Sequence, residues 1–210
     1  MPRIFDMQLR RGRLERFLVT LSDQQQLILT PEIVLKYSIS PNREYTDEEF
    51  AQILNEDTLR QAKDQAMRFL SLRQHSCMEL GKKLRNKGFS SHTIEQTIKD
   101  LKKIKLLDDA QFAELYIDNE MQLRPVGKRL LRQKLVQRGV SAEIFEPLLD
   151  KYFYKETELK IARTLIQKFT KTHPKDRGQK FTEKLIRFLQ SKGIDWDQIE
   201  QILYEQKNEL

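Results

Sequence analysis

The chain has 210 residues, with 38 Lys and Arg against 31 Asp and Glu and a formal net charge of +7 at pH 7. Its one cysteine excludes an internal disulfide framework and suits a reducing cytosol. No apolar run reaches about 18 residues and the start MPRIFDMQLRRGRLERF lacks the apolar core of a secretory signal, so a cytoplasmic protein without a membrane span is expected.

In chain order, RFLVTL (16–21) and QLIL (26–29) gather β-branched and apolar residues on either side of the polar SDQQ, which predicts a β-hairpin. Pro31 suits the first turn of a short helix, PEIVLKY. YTDEEFAQIL predicts another helix, with Thr46 as N-cap. Residues 1–57 therefore read as a small α+β cap on the helices that succeed it. From about Thr58 to Leu72, Leu59, Ala62, Ala66, Phe69 and Leu70 recur at helical spacing. SCMEL (76–80) has the Ser-x-x-Glu form of a capping box and opens a second helix. Gly88 ends that helix by taking the left-handed conformation, and Ser90 can accept from the free amides of a third.

The pattern then recurs. Asp108 or Asp109 caps a helix bearing Phe112, Leu115, Tyr116 and Asn119. Gly127 stands where Ser76 stood, Gly139 ends the basic middle helix, and Ser141 opens the next. A last copy runs through the periodic stretch ETELKIARTLIQKF (156–169), Gly193 and Asp195, with THPKDRGQKF (172–181) inserted before its middle helix. With Gly88, Gly139 and Gly193 aligned, apolar residues coincide at five offsets: Leu80, Leu131 and Leu185; Leu84, Leu135 and Leu189; Phe89, Val140 and Ile194; Ile94, Phe145 and Ile199; Ile98, Leu149 and Leu203. The expected fold is mainly α, three tandem three-helix repeats at 58–106, 107–153 and 154–210 behind the N-terminal hairpin and helix segment.

No catalytic or cofactor chemistry announces itself. His75, His92 and His173 are far apart in sequence, so no metal site is expected; Cys77 has no histidine at contact spacing, and Asp108 and Asp109 read as caps. No phosphate loop, GxGxxG or CxxC occurs, so neither an enzyme nor a cofactor is expected. Charge is uneven, however: residues 121–193 hold 18 Lys and Arg against 7 Asp and Glu, a net +11, while residues 1–57 and 194–210 are acidic. Such an excess favours nucleic acid phosphates or an acidic protein surface as partner.

AMRFLSLRQHSCMELGKKLRNKGF (66–89), LLDDAQFAELYI (106–117) and GKRLLRQKLVQRGV (127–140) resemble the RecX family of regulatory proteins, modulators of the RecA recombinase. The residues that carry the resemblance are Ala66, Leu70, Arg73, Ser76, Glu79, Leu80, Lys87, Gly88, Phe89, Leu107, Asp108, Asp109, Phe112, Ala113, Gly127, Leu135, Arg138 and Gly139, whereas Gln74 and His75 depart from the pattern. The resemblance implies an elongated, curved array of repeats, a monomer that binds the RecA filament on single-stranded DNA, with weaker binding to duplex. It also implies inhibition of RecA's ATPase, strand exchange and SOS co-protease activity.

Candidate contacts are the cations near the middle helices: Lys82, Lys83, Arg85 and Lys87; Lys128, Arg129, Arg132, Lys134 and Arg138; Lys180, Lys184, Arg187 and Lys192. Between Gly127 and Gly139 no acidic residue can pair within the helix, so Lys128 and Arg132 are expected to look outward for partners. A rival reading is a DNA-binding protein of helix-turn-helix type, although no helix carries a clear set of base-reading side chains.

Overall fold

The computed structural model describes residues 1–12, 14–174 and 178–208. The chain opens with β1 (Ile4–Arg10), β2 (Arg16–Leu21) and β3 (Gln26–Leu29), an antiparallel sheet in that order. The expected hairpin is present, with Phe17 opposite Leu29 and Val19 opposite Leu27. The sequence reading does not anticipate β1. Its residues from Asp6 to Arg10 alternate polar and apolar, but a register shift between Ile4 and Asp6 interrupts the alternation and leaves Phe5 71 % exposed.

One face of the sheet buries Ile4, Val19, Leu21 and Leu29 in a core shared with Ile33 and Val34 of α1 (Pro31–Lys36) and Phe50 and Ile53 of α2 (Asp47–Leu72). Thr46 caps α2 as expected, and the cap is reciprocal: Glu49 N donates to Thr46 Oγ1 at 3.1 Å, while Thr46 N donates to the Glu49 carboxylate at 2.9 Å. The two helices expected at 46–54 and from Thr58 are one continuous helix of 26 residues. The polar run Asn55-Glu56-Asp57-Thr58 does not break it, because Asp57, 3 % exposed, accepts from Thr30 N at 2.7 Å and Thr30 Oγ1 at 2.8 Å, and from Gln61 Nε2. A buried carboxylate with several donors is satisfied where it stands.

The chain divides into two compact bodies, residues 1–74 with 80–106 and residues 75–79 with 107–210, over which three three-helix units are distributed. In the first, α2 packs against α4 (Ser91–Lys103), with Ala62 and Ala66 fully buried. Leu80 and Leu84 of α3 (Cys77–Arg85), with Ile94 and Leu101 of α4, fill the interior. In the second, α5 (Asp109–Leu123), α6 (Lys128–Gln137) and α7 (Ala142–Tyr152) enclose Phe112, Ile117, Leu131, Leu135, Phe145 and Leu149. Then α8 (Lys155–Thr172), α9 (Gly178–Ser191) and α10 (Trp196–Asn208) enclose Leu165, Ile166, Phe169, Leu185, Leu189 and Ile199. Of the inserted stretch 172–181, residues 175–177 lie outside the described residues.

Each middle helix ends in the same way. Gly88, Gly139 and Gly193 have φ of 90°, 74° and 82°. The amide after each glycine reaches back five residues: Phe89 N to Leu84 O, Val140 N to Leu135 O and Ile194 N to Leu189 O, at 3.3, 3.1 and 3.2 Å. This closure satisfies carbonyls that the helix end leaves free and turns the chain into the third helix. Ser90 caps that helix through Thr93 N. Ser141 occupies the N-cap without a side-chain hydrogen bond, so there the backbone turn alone starts α7. α5 bears Phe112, Leu115, Tyr116 and Asn119 as expected, but its buried face runs through Phe112, Ala113 and Ile117, which leaves Leu115 42 % exposed and Asn119 exposed. Among the residues ten after the glycines, Leu149 is fully buried, whereas Ile98 and Leu203 are half-buried.

Space distinguishes the three stops. A Cβ on Gly88 would meet nothing within 4 Å, one on Gly139 would lie 2.5 Å from Met78 Cβ, and one on Gly193 would lie 2.3 Å from Leu130 N. Gly88→Ala should therefore cost about 1 kcal/mol, the conformational penalty alone, and Gly139→Ala and Gly193→Ala about 2–4 kcal/mol each. Urea unfolding followed by circular dichroism measures the order; equal losses would mean that crowding plays no part.

Candidate functional site

The basic middle helix of the second unit is α6, and its cations do not stand free. Lys128 Nζ donates to Asp150 at 2.6 Å, and Arg132 makes a two-pronged pair with Glu146, from Nε at 2.6 Å and Nη2 at 2.8 Å. Both carboxylates belong to α7, which packs beside α6. The expectation that Lys128 and Arg132 look outward is thus corrected: their partners are supplied from the next helix of the same unit. The pairing holds the Glu146 carboxyl below its ordinary range chiefly through the Arg132 hydrogen bond, and Asp150 is lowered likewise by Lys128.

The remaining cations of this helix are engaged too. Arg129 Nη2 donates to Gln190 O at 2.7 Å and its Nε lies 3.8 Å from Asp195. Gly127 N donates to Lys192 O at 2.8 Å and Arg129 N to Gly193 O at 3.3 Å, so the start of α6 is bonded to the end of α9. A Cβ on Gly127 would sit 2.2 Å from Gly193 O, which explains a glycine where the first copy has Ser76. Lys134 Nζ donates to Glu120 at 2.7 Å.

Arg138 anchors the first turn of α3. Its guanidinium lies over the Tyr116 ring at 4.2 Å and 3.6 Å from Glu79, whose other oxygen meets His75 Nδ1 at 3.2 Å. Ser76 Oγ accepts from Glu79 N, as a capping box requires, and donates to Arg138 O. Asp108 and Asp109 have separate duties: Asp108 accepts from Ala110 N and Gln111 N of its own helix, and Asp109 accepts from Cys77 N at 2.8 Å. Tyr116 donates to Glu120 at 2.9 Å. Burial, and then that hydrogen bond, push the Tyr116 phenol up to about 12. Burial opposes charge on Glu120, but the bonds from Lys134 and Tyr116 outweigh it and bring its pKa below the ordinary value.

Elsewhere the candidate cations differ. Lys83 lies over the Phe69 ring at 4.9 Å and Lys192 over Phe188 at 5.4 Å. Arg187 is 3.8 Å from Glu183. Lys184 is exposed and engaged in an interaction of its own. Lys82, Arg85, Lys87 and Lys180 are exposed and make no ion pair among the described residues. The same holds of Lys99, Lys102, Lys103 and Lys105, which were not among the expected contacts. Their signal is a local count: residues 82–105 carry eight cations against Glu95 and Asp100. The stretch is short, and the larger excess further along the chain obscured it. Among the described residues no group of His, Cys, Asp and Glu could hold a metal ion, and no helix is long and apolar enough to cross a membrane.

Three family models match the chain in tandem: the first, second and third three-helix domains of RecX, over residues 62–101, 108–147 and 156–203. Similar proteins include a "Regulatory protein RecX" of Finegoldia magna, 29 % identical over 90 % of this chain and 92 % of its own. Another, from Clostridium perfringens, is 31 % identical over 94 % of this chain and 92 % of its own. Among solved structures, "Crystal structure of regulatory protein RecX" superposes with a TM-score of 0.74 at 19 % identity, covering 96 % of this chain and 98 % of that one, a likeness of fold.

The Arg132–Glu146 side chains are 40 % and 36 % exposed, so a double-mutant cycle should give a coupling below about 1 kcal/mol at pH 7. Because the folded pKa of Glu146 is lowered, that stabilisation is present above the unfolded carboxylate value and fades as pH falls through the folded one. A coupling that persists in strong acid would contradict the pairing. For Tyr116 the sign is opposite, since its protonated form is favoured by folding. Stability of the second unit should fall as pH rises from about 10 toward 12, and Tyr116→Phe should reduce that fall. Unfolding midpoints across this range provide the check.

Proposed function

The chain belongs to the RecX family of regulatory proteins, and on that premise we propose that it is a non-enzymatic regulator of the RecA recombinase. It binds the RecA filament on single-stranded DNA as a cytoplasmic monomer, slows ATP hydrolysis and strand exchange, and damps the co-protease activity that drives the SOS response. The observation that carries this reading is the succession of three family domains from residue 62 to residue 203, each with the same glycine-closed middle helix.

A filament groove lined with acidic protein groups and DNA phosphates favours a partner with unneutralised cations. By that criterion the contact set narrows. Lys82, Arg85, Lys87 and Lys180 remain available, whereas Lys128, Arg132, Lys134 and Arg138 are already committed to carboxylates. The same commitment weakens the helix-turn-helix alternative, because α6 would be its basic reading helix.

Added to RecA assembled on single-stranded DNA, the protein should lower RecA's ATP turnover while hydrolysing none itself. Lys82→Glu/Arg85→Glu/Lys87→Glu should raise the concentration for half-inhibition by about tenfold or more and flatten its salt dependence. Unchanged turnover over a wide range of added folded protein would reject the regulator reading. A triple variant as potent as the wild type would reject only the site.

A further inference from the structure

A groove of about 540 Å³ opens in the first unit between α2 and the end of α4. Met67, Leu101, Ile104 and Leu106 supply its apolar lining, and three of them are conspicuously open to solvent: Met67 at 45 %, Ile104 at 63 % and Leu106 at 47 %. Ile104 is the residue at which α4 ends, and Lys105 follows in the left-handed conformation, φ 56°. Leu106 N then donates to Leu101 O at 3.0 Å, which turns the chain back at the groove. A lysine in this conformation costs stability that a glycine would avoid.

The charges around the groove are one-sided. Its two carboxylates are engaged, Asp100 by Lys63 at 2.6 Å and Asp64 by Arg16 at 3.0 Å and Arg60 at 3.4 Å. Lys103 lines the groove and adds a weaker pull on Asp100, Lys99 stands one helical turn before it, Lys102 lies in the last turn of α4 and Lys105 just past its end; none makes an ion pair among the described residues.

We propose that this groove binds the apolar face of an acidic amphipathic helix from a partner protein. Aliphatic side chains and a methionine accept leucine-like anchors at helical spacing, and the lysines at the rim complement carboxylates on the flanks. Single-stranded nucleic acid fits the rim but not the floor, because no aromatic ring lines the groove for a base to stack on. A second copy laid symmetrically on the same groove would oppose lysine to lysine. A bilayer calls for a protruding apolar face, and this one is concave.

The proposal is independent of the RecA reading, and its test uses no RecA. A fluorescein-labelled peptide of about 16 residues, leucines at helical spacing and glutamates elsewhere, is titrated with the full chain and followed by anisotropy. The control has the same composition with the leucines scrambled off the stripe. The striped peptide should bind, more weakly as salt rises, and the control at least about tenfold less tightly. Ile104→Glu/Leu106→Glu and, separately, Lys99→Glu/Lys103→Glu should each weaken binding by about tenfold or more. The second pair lies on the exposed surface and keeps the test open should the first disturb folding, which circular dichroism reports. No preference for the striped peptide, or equal binding by both variants and the wild type, overturns the proposal. So does a loss of affinity confined to labelled oligo(dT), which would make the groove part of a nucleic acid surface.

Discussion

Each three-helix unit depends on a reversal of the chain within a few residues of its middle helix, and only a left-handed residue there permits it. With φ near 80° at Gly88, Gly139 and Gly193, the following amide can reach the carbonyl five residues back, and the following side chain turns inward. Val140 and Ile194 are consequently buried, at 4 % and 1 %, and the third helix starts at the next residue but one. An alanine could occupy the corner at Gly88 at a moderate cost. At Gly139 and Gly193 the corner is also a packing surface, so the residue must be both left-handed and without a side chain. One atom's absence thus fixes a helix end and a helix contact together.

Electrostatics follows from that packing. The third helix folds back along the second, which sets Asp150 and Glu146 beside Lys128 and Arg132. Each such pair is partly solvated and contributes little to stability alone. Their larger effect is to neutralise the helix that has the highest density of positive charge, while Lys134 and Arg138 are taken up by Glu120 and Glu79. The net charge of a segment therefore says how many cations it holds, not how many it leaves available.

Most of the fold was legible in the sequence, because glycine stops, capping residues and apolar offsets are local signals that recur three times. The exceptions have specific causes. β1 is obscured by its bulge, and the continuity of α2 depends on donors that reach Asp57 from the β3–α1 junction, 27 residues away in sequence. The candidate site was less legible for the same reason. Whether Arg132 or Lys82 is free is decided by the presence of a carboxylate on another helix, and spacing along one helix carries no information about that. Asp109 makes the point from the acidic side: as one of two adjacent carboxylates it reads as a cap, but the helix it serves begins 32 residues earlier.

The repeat itself accounts for the contrast between the first two units. With Gly88 set on Gly139, the positions of Lys128 and Arg132 are held in the first unit by Cys77 and Gly81, and that of Asp150 by Lys99. A Cβ on Gly81 would be 3.5 Å from Ile94 Cγ2 and Ile98 Cδ1, so α3 and α4 meet there through apolar contact in place of an ion pair. With Cys77 in the place of Lys128, a carboxylate at residue 99 would lack the cation that Asp150 has, and the lysine found there is exposed. The pair of Lys134 with Glu120 has its counterpart in Lys83 with Phe69, where a ring replaces the carboxylate and leaves the lysine without an acidic partner among the described residues. At these positions the second unit pairs its cations internally, whereas Lys83 and Lys99 of the first make no ion pair among the described residues. A surface formed in that way need not lie on the segment of greatest net charge. It lies where the two members of an internal pair are not both present: Glu95 stands at the Glu146 position, but Gly81 takes the place of Arg132.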